Sequence, residues 1–317
     1  DNAAFSMEYE NLPGKANANS YYQIGQFNRN IKKAFYPLRT IDYTMKKNPF
    51  AIPKVDGEIR IIGLDFATRA AKANDNSVLT CLRLIPSKKG YSRNCVYMES
   101  SHGANHIIQA NRVKDVWYDF QADYLSMDIQ QVGWSIFVNL TTQYFNEERG
   151  IQIPAFTVMD IPEIDEKLKS EMRDNTYGMN ALPNIFPISA SPTLNTEMHV
   201  AFRSSLQKKM WSFLVDDVEA ERFLVQTNKD YFSDDETMRS WLLHPYVQTN
   251  LFISEAVNLE MQMVGANVKL TEGSGRKDRY SSIIHGNYLA SILDKSLLKE
   301  KDGEDDWSVL SGATLVY

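Results

Sequence analysis

The chain has 317 residues, 43% of them hydrophobic and 11% aromatic, which is enough apolar surface for a substantial core and excludes a disordered chain. Its two cysteines, Cys81 and Cys95, stand in no CxxC or Cys/His spacing, and no stretch approaches 18 uninterrupted apolar residues; a disulfide scaffold, a zinc site and a membrane span are excluded, and a soluble cytoplasmic protein is expected. The net charge of −6 excludes a tight passive DNA binder, yet it suits an enzyme whose carboxylate cluster holds metal cations.

Residues 1–50 are polar and aromatic, with NLPGKANANS as a loop. From Glu58 the character changes. EIRIIGLDFAT reads as a buried strand, NSVLTCLRLIP as a second and CVYMESS as a third, with KKGYSRN as the turn between the last two. ANHIIQANRVKDVWYDF is predicted helical, with Ile107, Ile108, Val113, Val116, Trp117 and Phe120 on one stripe. DYLSMDIQQ returns to strand character, and VGWSIFVNLTTQYFNEERG reads as a helix with Gly150 past its end. Residues 151–180 show weak periodicity, NIFPISAS is a fifth strand, 194–211 is helical, and 214–236 reads as an irregular or hairpin insertion. SWLLHPYVQTNLFISEAVNLEMQMV is expected as one long helix with Pro245 near its start and Met261 and Met263 in the core. VKLTE is a short strand, and KDRYSSIIHGNYLASILDKSLL is a closing helix. Three hairpin strands followed by helix-separated strands is the order of the ribonuclease H-like fold: an α/β architecture with a central mixed sheet of about five or more strands flanked by helices.

Three aspartates stand where this order matters. Asp65 ends the first apolar strand, and an Asp there is costly to bury unless something pairs with it; its bland reading is a residue that starts a turn. Asp128 repeats the pattern at the end of YLSM, too early to be the N-cap of the helix that follows. Asp278 opens the closing helix, where an aspartate is an ordinary cap. Taken together, strand one, strand four and a late helix N-terminus are the places from which such a fold aims carboxylates at one point. Oxygen ligands on rigid elements suit two-metal phosphodiester hydrolysis.

These residues resemble the nuclease domain of tailed-phage large terminase subunits. GLDFATRAAKANDNSV is similar to that family's first motif, which puts Asp65 in the first-ligand position and Asp75 in the loop position. DIQQVGWS resembles the motif after strand four, making Asp128 the second ligand, with Gln131 in place of one glycine and Gly133 kept. GRKDRYSSIIHGNYLA is similar to the final acidic motif, making Asp278 the third ligand, with Lys277 where many relatives carry an acid. FSMEYENLP and FPISASPTLNTEMHVAFRSSL more weakly resemble the family's entry segment and its later strand-plus-helix. The resemblance implies a divalent-metal-dependent endodeoxyribonuclease that uses Mg²⁺ or Mn²⁺, two ions, on double-stranded DNA during genome packaging. It implies portal and small-subunit partners in the host cytoplasm. No G-x-x-x-x-G-K-[ST] occurs, so the packaging ATPase is expected on another segment; residues 1–50 are read as linker and the tail of that domain, and 51–317 as the nuclease domain, with insertions near 151–180 and 214–236.

Lys277 is a candidate to hold a scissile phosphate, set against a merely solvated lysine. Arg276 and Arg279, with Lys88 and Lys89 in the strand 2–3 turn, are candidate DNA-backbone contacts, the bland reading for the turn being a solvated surface. His102, His106, His199, His244 and His285 lack metal spacing, and His285 reads as a satisfied core histidine. Competing readings are another ribonuclease H-like nuclease, of junction-resolvase or integrase type, and a non-catalytic module that docks on a motor or portal.

Overall fold

Strand β1, Ile59–Asp65, has a buried interior apart from its ends, and an almost uninterrupted apolar run is what a strand covered on both faces requires. It sits fourth in a seven-stranded sheet, with three strands on either side. The computed structural model describes residues 20–31, 53–66, 76–102, 105–227, 231, 236–272 and 276–301. β1 pairs antiparallel with β2, Asn76–Ser87, which pairs antiparallel with β3, Gly90–His102. On its other side β1 pairs parallel with β4, Tyr124–Asp128; β4 pairs parallel with β8, Leu182–Ile188, and β8 with β7, Phe156–Val158. A meander extended by parallel strands, with helices intervening, is the ribonuclease H-like arrangement that the element order predicts.

The helices follow the sheet in chain order. After the short α1, Ile24–Asn28, come α2, His106–Phe120, α3, Val132–Leu140, α4, Glu166–Asp174, and α5, Pro192–Gln207. Then follow α6, Asp217–Thr227, α7, Glu236–Val257, and the closing α8, Asp278–Lys301, which packs along β1, β2, β3 and β4. Two small ribbons stand apart from the main sheet: β5, Tyr144–Asn146, with β6, Ile151–Ile153, and β10, Leu259–Val264, with β11, Asn267–Glu272. The short β9, Trp211–Ser212, extends β3.

Several expectations are corrected. Residues 20–31, expected in a linker, belong to the packed unit: Tyr22 and Phe27 are wholly buried, and their rings meet Phe202, Phe213, Phe252 and Tyr280. Asn30 reinforces the join, donating to Leu206 O (3.1 Å) and accepting from Trp211 N (3.2 Å). The segment expected to be irregular at 214–236 contains α6, whose Ala220 and Leu224 are buried. The long helix expected through Val264 stops at Val257 with Pro245 inside it, and LEMQMV pairs as β10 instead. Along that ribbon residues 261–264 are exposed in succession, so Met261 and Met263 stand outside rather than in the core. Helix α3 ends at Leu140, and Gly150 (φ 64°) turns the β5–β6 ribbon. Ile107 and Ile108 face outward in the first turn of α2, while Val113, Val116, Trp117 and Phe120 carry its buried side.

Candidate metal centre

Side chains alternate between the two faces of a sheet, and that parity decides where the acids point. Gly63 and Asp65 share one face of β1; Ser126 and Asp128 share one face of β4. The parallel register sets Gly63 beside Ser126 and Leu64 beside Met127, so Asp65 and Asp128 are the next pair, on strands about 4.8 Å apart. Helix α8 lies on this same face: Ser282 Oγ donates to Gly63 O (2.9 Å) and Ser126 Oγ donates to His285 O (2.8 Å). Running back from Ser282 to Asp278 covers about 6 Å of helix rise, and running on from Gly63 to Asp65 covers about 6.6 Å of strand. Both carboxylates therefore reach the same level. Asp278 Oδ2 accepts the backbone N–H of Asn76 at 3.1 Å, which ties the helix start to the first residue of β2.

Local features hold each element in place. Gly133 opens α3 where no side chain fits, since a Cβ there would stand 1.8 Å from the Asp128 carbonyl oxygen. Asp128 Oδ1 accepts the N–H of Gln130 (2.8 Å), and Gln131 takes a positive φ of 48° to start the helix. Asp128 is thus not the cap of α3. Glu255 of α7 secures the start of α8, accepting from Arg279 N (3.0 Å), Tyr280 N (3.2 Å) and Arg279 Nη1 (2.5 Å).

The three aspartates line one open cleft of about 670 Å³, walled by α5, by the β10–β11 ribbon and by the first turns of α8. Burial pushes the Asp65 carboxyl well above the usual carboxylate range, and the charges of Asp278 and Asp128 push it further, with Lys277 opposing. Burial also raises Asp128, against the Gln130 N–H and His285. Crowded oxygen donors whose mutual repulsion Lys277 does not offset suit a hard divalent cation. Among the described residues no three His, Cys, Asp or Glu side chains already close around a point that holds an ion; Asp75, the fourth expected ligand, lies outside the described residues.

The other expected site residues separate. Lys277 lines the cleft and pairs with Glu272 at 3.1 Å, half-exposed. Arg279, expected at a phosphate, turns inward instead: it is 7% exposed and spends its guanidinium on Glu255, Gln248 (2.7 Å) and Ser100 (3.3 Å). Arg276 is partly exposed beside the cleft-lining Lys277. Lys88 and Lys89 are exposed in the β2–β3 turn. That turn lies at the far end of β2 from Asn76, roughly 35 Å along the strand, so the structure does not bring them to the centre. Cys81 and Cys95 are buried free thiols. Two cleft residues carried no role in the motif reading. His199 shares a 2.8 Å hydrogen bond with the Tyr280 hydroxyl, and burial lowers it to about 4. His285 stands two turns along α8 from Asp278, a helical spacing that was visible in the sequence.

The strain among these carboxylates has a measurable consequence. A carboxyl held above its ordinary value of 3.8 stabilises the fold below that value and loses this contribution as pH rises through its folded pKa. Without divalent metal, Asp65→Asn is therefore expected to melt higher than the wild type at neutral pH, by roughly 2–4 °C for each kcal/mol regained. The gap should widen as pH rises from about 4. Equal melting temperatures in EDTA across pH 4–8 would contradict the crowding of the three acids.

No family model and no curated protein sequence matches the chain. Solved structures of similar arrangement include the large terminase nuclease of the thermophilic phage G20c with bound magnesium, at 14% identity over 86% of this chain and 97% of that one, TM-score 0.44. The large terminase nuclease domain of Thermus phage P74-26 is similar at 14% identity over 83% and 92%, TM-score 0.40. The HK97 bacteriophage large terminase is similar at 9% identity over 85% of this chain and 43% of that one, TM-score 0.43.

Proposed function

We propose that the chain is a divalent-metal-dependent endonuclease acting on double-stranded DNA, with its centre at Asp65, Asp128 and Asp278. The observation that carries this reading is the convergence of β1, β4 and the start of α8 on one cleft, with Asp65 raised by burial and by the other two acids. Asp65 and Asp128 would hold the first ion; Asp278, with Asp75, would complete the ligand set. When bound, Mg²⁺ or Mn²⁺ supplies a more acidic water and offsets charge on the phosphate. The chain's own residues supply the rest. Strand ends fix two carboxylates, Glu255 and Asn76 fix the third, and Lys277 stands at the rim where a phosphate would enter. The motif order GLDFAT, DIQQVGWS, GRKDRYSS supports the narrower reading: the cutting domain of a viral packaging terminase, working in the host cytoplasm beside an ATPase domain, a portal and a small subunit.

The test is direct. Incubated with supercoiled plasmid, the purified chain should nick and linearise it in Mn²⁺ or Mg²⁺ and leave it intact in EDTA; undiminished cutting in chelator would overturn the metal reading. Binding should be weak and indifferent to sequence, because the chain carries a net charge of −6 and phosphate contacts dominate. Each neutralised phosphate adds about −0.9 to the slope of log affinity against log salt, so cutting should fall steeply with added salt. Tight, salt-insensitive binding to one particular duplex would favour a junction-resolving or site-specific nuclease instead.

A further inference from the structure

Behind the paired acids lies a second layer of polar contacts, and one residue joins its parts. His285 is 5% exposed. Its Nδ1 lies 2.7 Å from the carbonyl oxygen of Leu64, the residue before Asp65. A carbonyl only accepts, so Nδ1 carries the proton and Nε2 is left bare in the neutral ring. The backbone carbonyl of the same residue accepts from Ser126 Oγ, two positions before Asp128. His285 thus ties α8 to β1 with its ring and to β4 with its backbone, one residue below the first acid and two below the second. His285 is also among the residues that line the cleft with Asp65, Asp128 and Asp278. One turn earlier Ser282 makes the complementary bonds, to Gly63 O and with Thr80 Oγ1 (2.8 Å).

We propose that His285 is a positioning residue of the centre: by donating Nδ1–H to the Leu64 carbonyl it fixes where Asp65 stands relative to Asp128, and so sets how well the pair holds a divalent ion. This rests on the nuclease reading above and adds a residue to it. Partners that orient a ligand carboxylate commonly change metal affinity by about 10–100-fold when removed.

The test compares His285→Ala, His285→Asn and His285→Gln in the full chain, reading Mn²⁺ affinity by calorimetry, melting temperature, and single-turnover cleavage. Asparagine places an N–H near the Nδ1 position; glutamine places its amide near Nε2. His285→Ala should bind Mn²⁺ about tenfold more weakly or worse, with kcat falling and KM for DNA unchanged. His285→Asn should recover most of the Mn²⁺ affinity, and His285→Gln should not. If the alanine variant does not fold, the asparagine–glutamine contrast decides alone. Unchanged Mn²⁺ affinity in a folded His285→Ala overturns the proposal, as does recovery by glutamine rather than asparagine. A wild type that takes up no Mn²⁺ overturns the nuclease reading, and this inference with it.

Discussion

Asp65→Ala and Asp128→Ala should each lower metal-dependent cleavage by about three orders of magnitude, while both proteins stay folded. A metal centre stabilises the transition state by several kcal/mol, and at 1.36 kcal/mol per tenfold, about 4 kcal/mol amounts to roughly a thousandfold. The loss should be near-complete because both acids sit on strand ends whose register leaves no neighbour able to substitute. The next residues along, Phe66 and Ile129, are apolar, and the strand parity turns them to the other face. Folding should survive, since ionised Asp65 opposes the fold in the absence of metal. Asp75→Ala should cost less, because Asp75 falls in a polar stretch of the sequence, AKANDNS, which suits an accessory ligand rather than a fixed one. Lys277→Ala should also cost less, as that side chain already has Glu272 as a partner. Rates are read by single-turnover nicking and folding by thermal melts; wild-type cutting by well-folded Asp65→Ala would remove the centre from this cleft.

What the sequence made legible follows from the kind of interaction involved. β1, β2, β3 and β4 stood out because their apolar runs are local, and a strand-terminal Asp is visible as an interruption of such a run. Asp65 and Asp128 were therefore readable before any pairing was known. Their adjacency was not, since it depends on the Leu64–Met127 register. The errors have a common cause in tertiary contact overriding local pattern. LEMQMV has the composition of a helix end, yet it pairs with Asn267–Glu272 as a ribbon with its methionines outside. Residues 20–31 read as linker because the resemblance assigns the first 50 residues to the tail of a preceding domain, and only the distant Phe202, Phe213 and Phe252 explain why Tyr22 and Phe27 are buried. Arg279 looked like part of a basic cluster with Arg276 and Lys277, but Glu255, brought in by α7, claims it. Glu255 itself carried no local signal.

Gly63→Ala should be a strongly damaging conservative change in the core. Gly63 lies within β1, and a methyl group there would meet the backbone carbonyl oxygen of Ser282 at 2.2 Å and the backbone N of Gly286 at 3.0 Å. Neither atom can rotate away, because both belong to α8, so the helix as a whole would have to lift by more than an ångström. Overpacking of this kind typically costs 1–3 kcal/mol. Lifting the helix would also strain the Ser282–Gly63, Ser282–Thr80 and His285–Leu64 hydrogen bonds, each worth about 1 kcal/mol. A loss of about 3 kcal/mol or more is expected, a large fraction of the usual 5–15 kcal/mol of stability, and with it a fall in melting temperature of roughly 6–12 °C. Two comparisons isolate the cause. Gly286→Ala meets Leu82 Cδ1 at 2.7 Å, the end of a side chain that can turn aside, and should cost less; Gly25→Ala, with nothing within 4 Å, should be neutral or slightly stabilising in its helix. The site should report the same displacement. Asp278 rides on α8 while Asp65 stays on β1, so any folded Gly63→Ala should bind Mn²⁺ more weakly than Gly286→Ala. A Gly63→Ala protein with wild-type melting temperature and Mn²⁺ affinity would show that α8 does not rest on β1 at this point, and the shared level of the three aspartates would go with it.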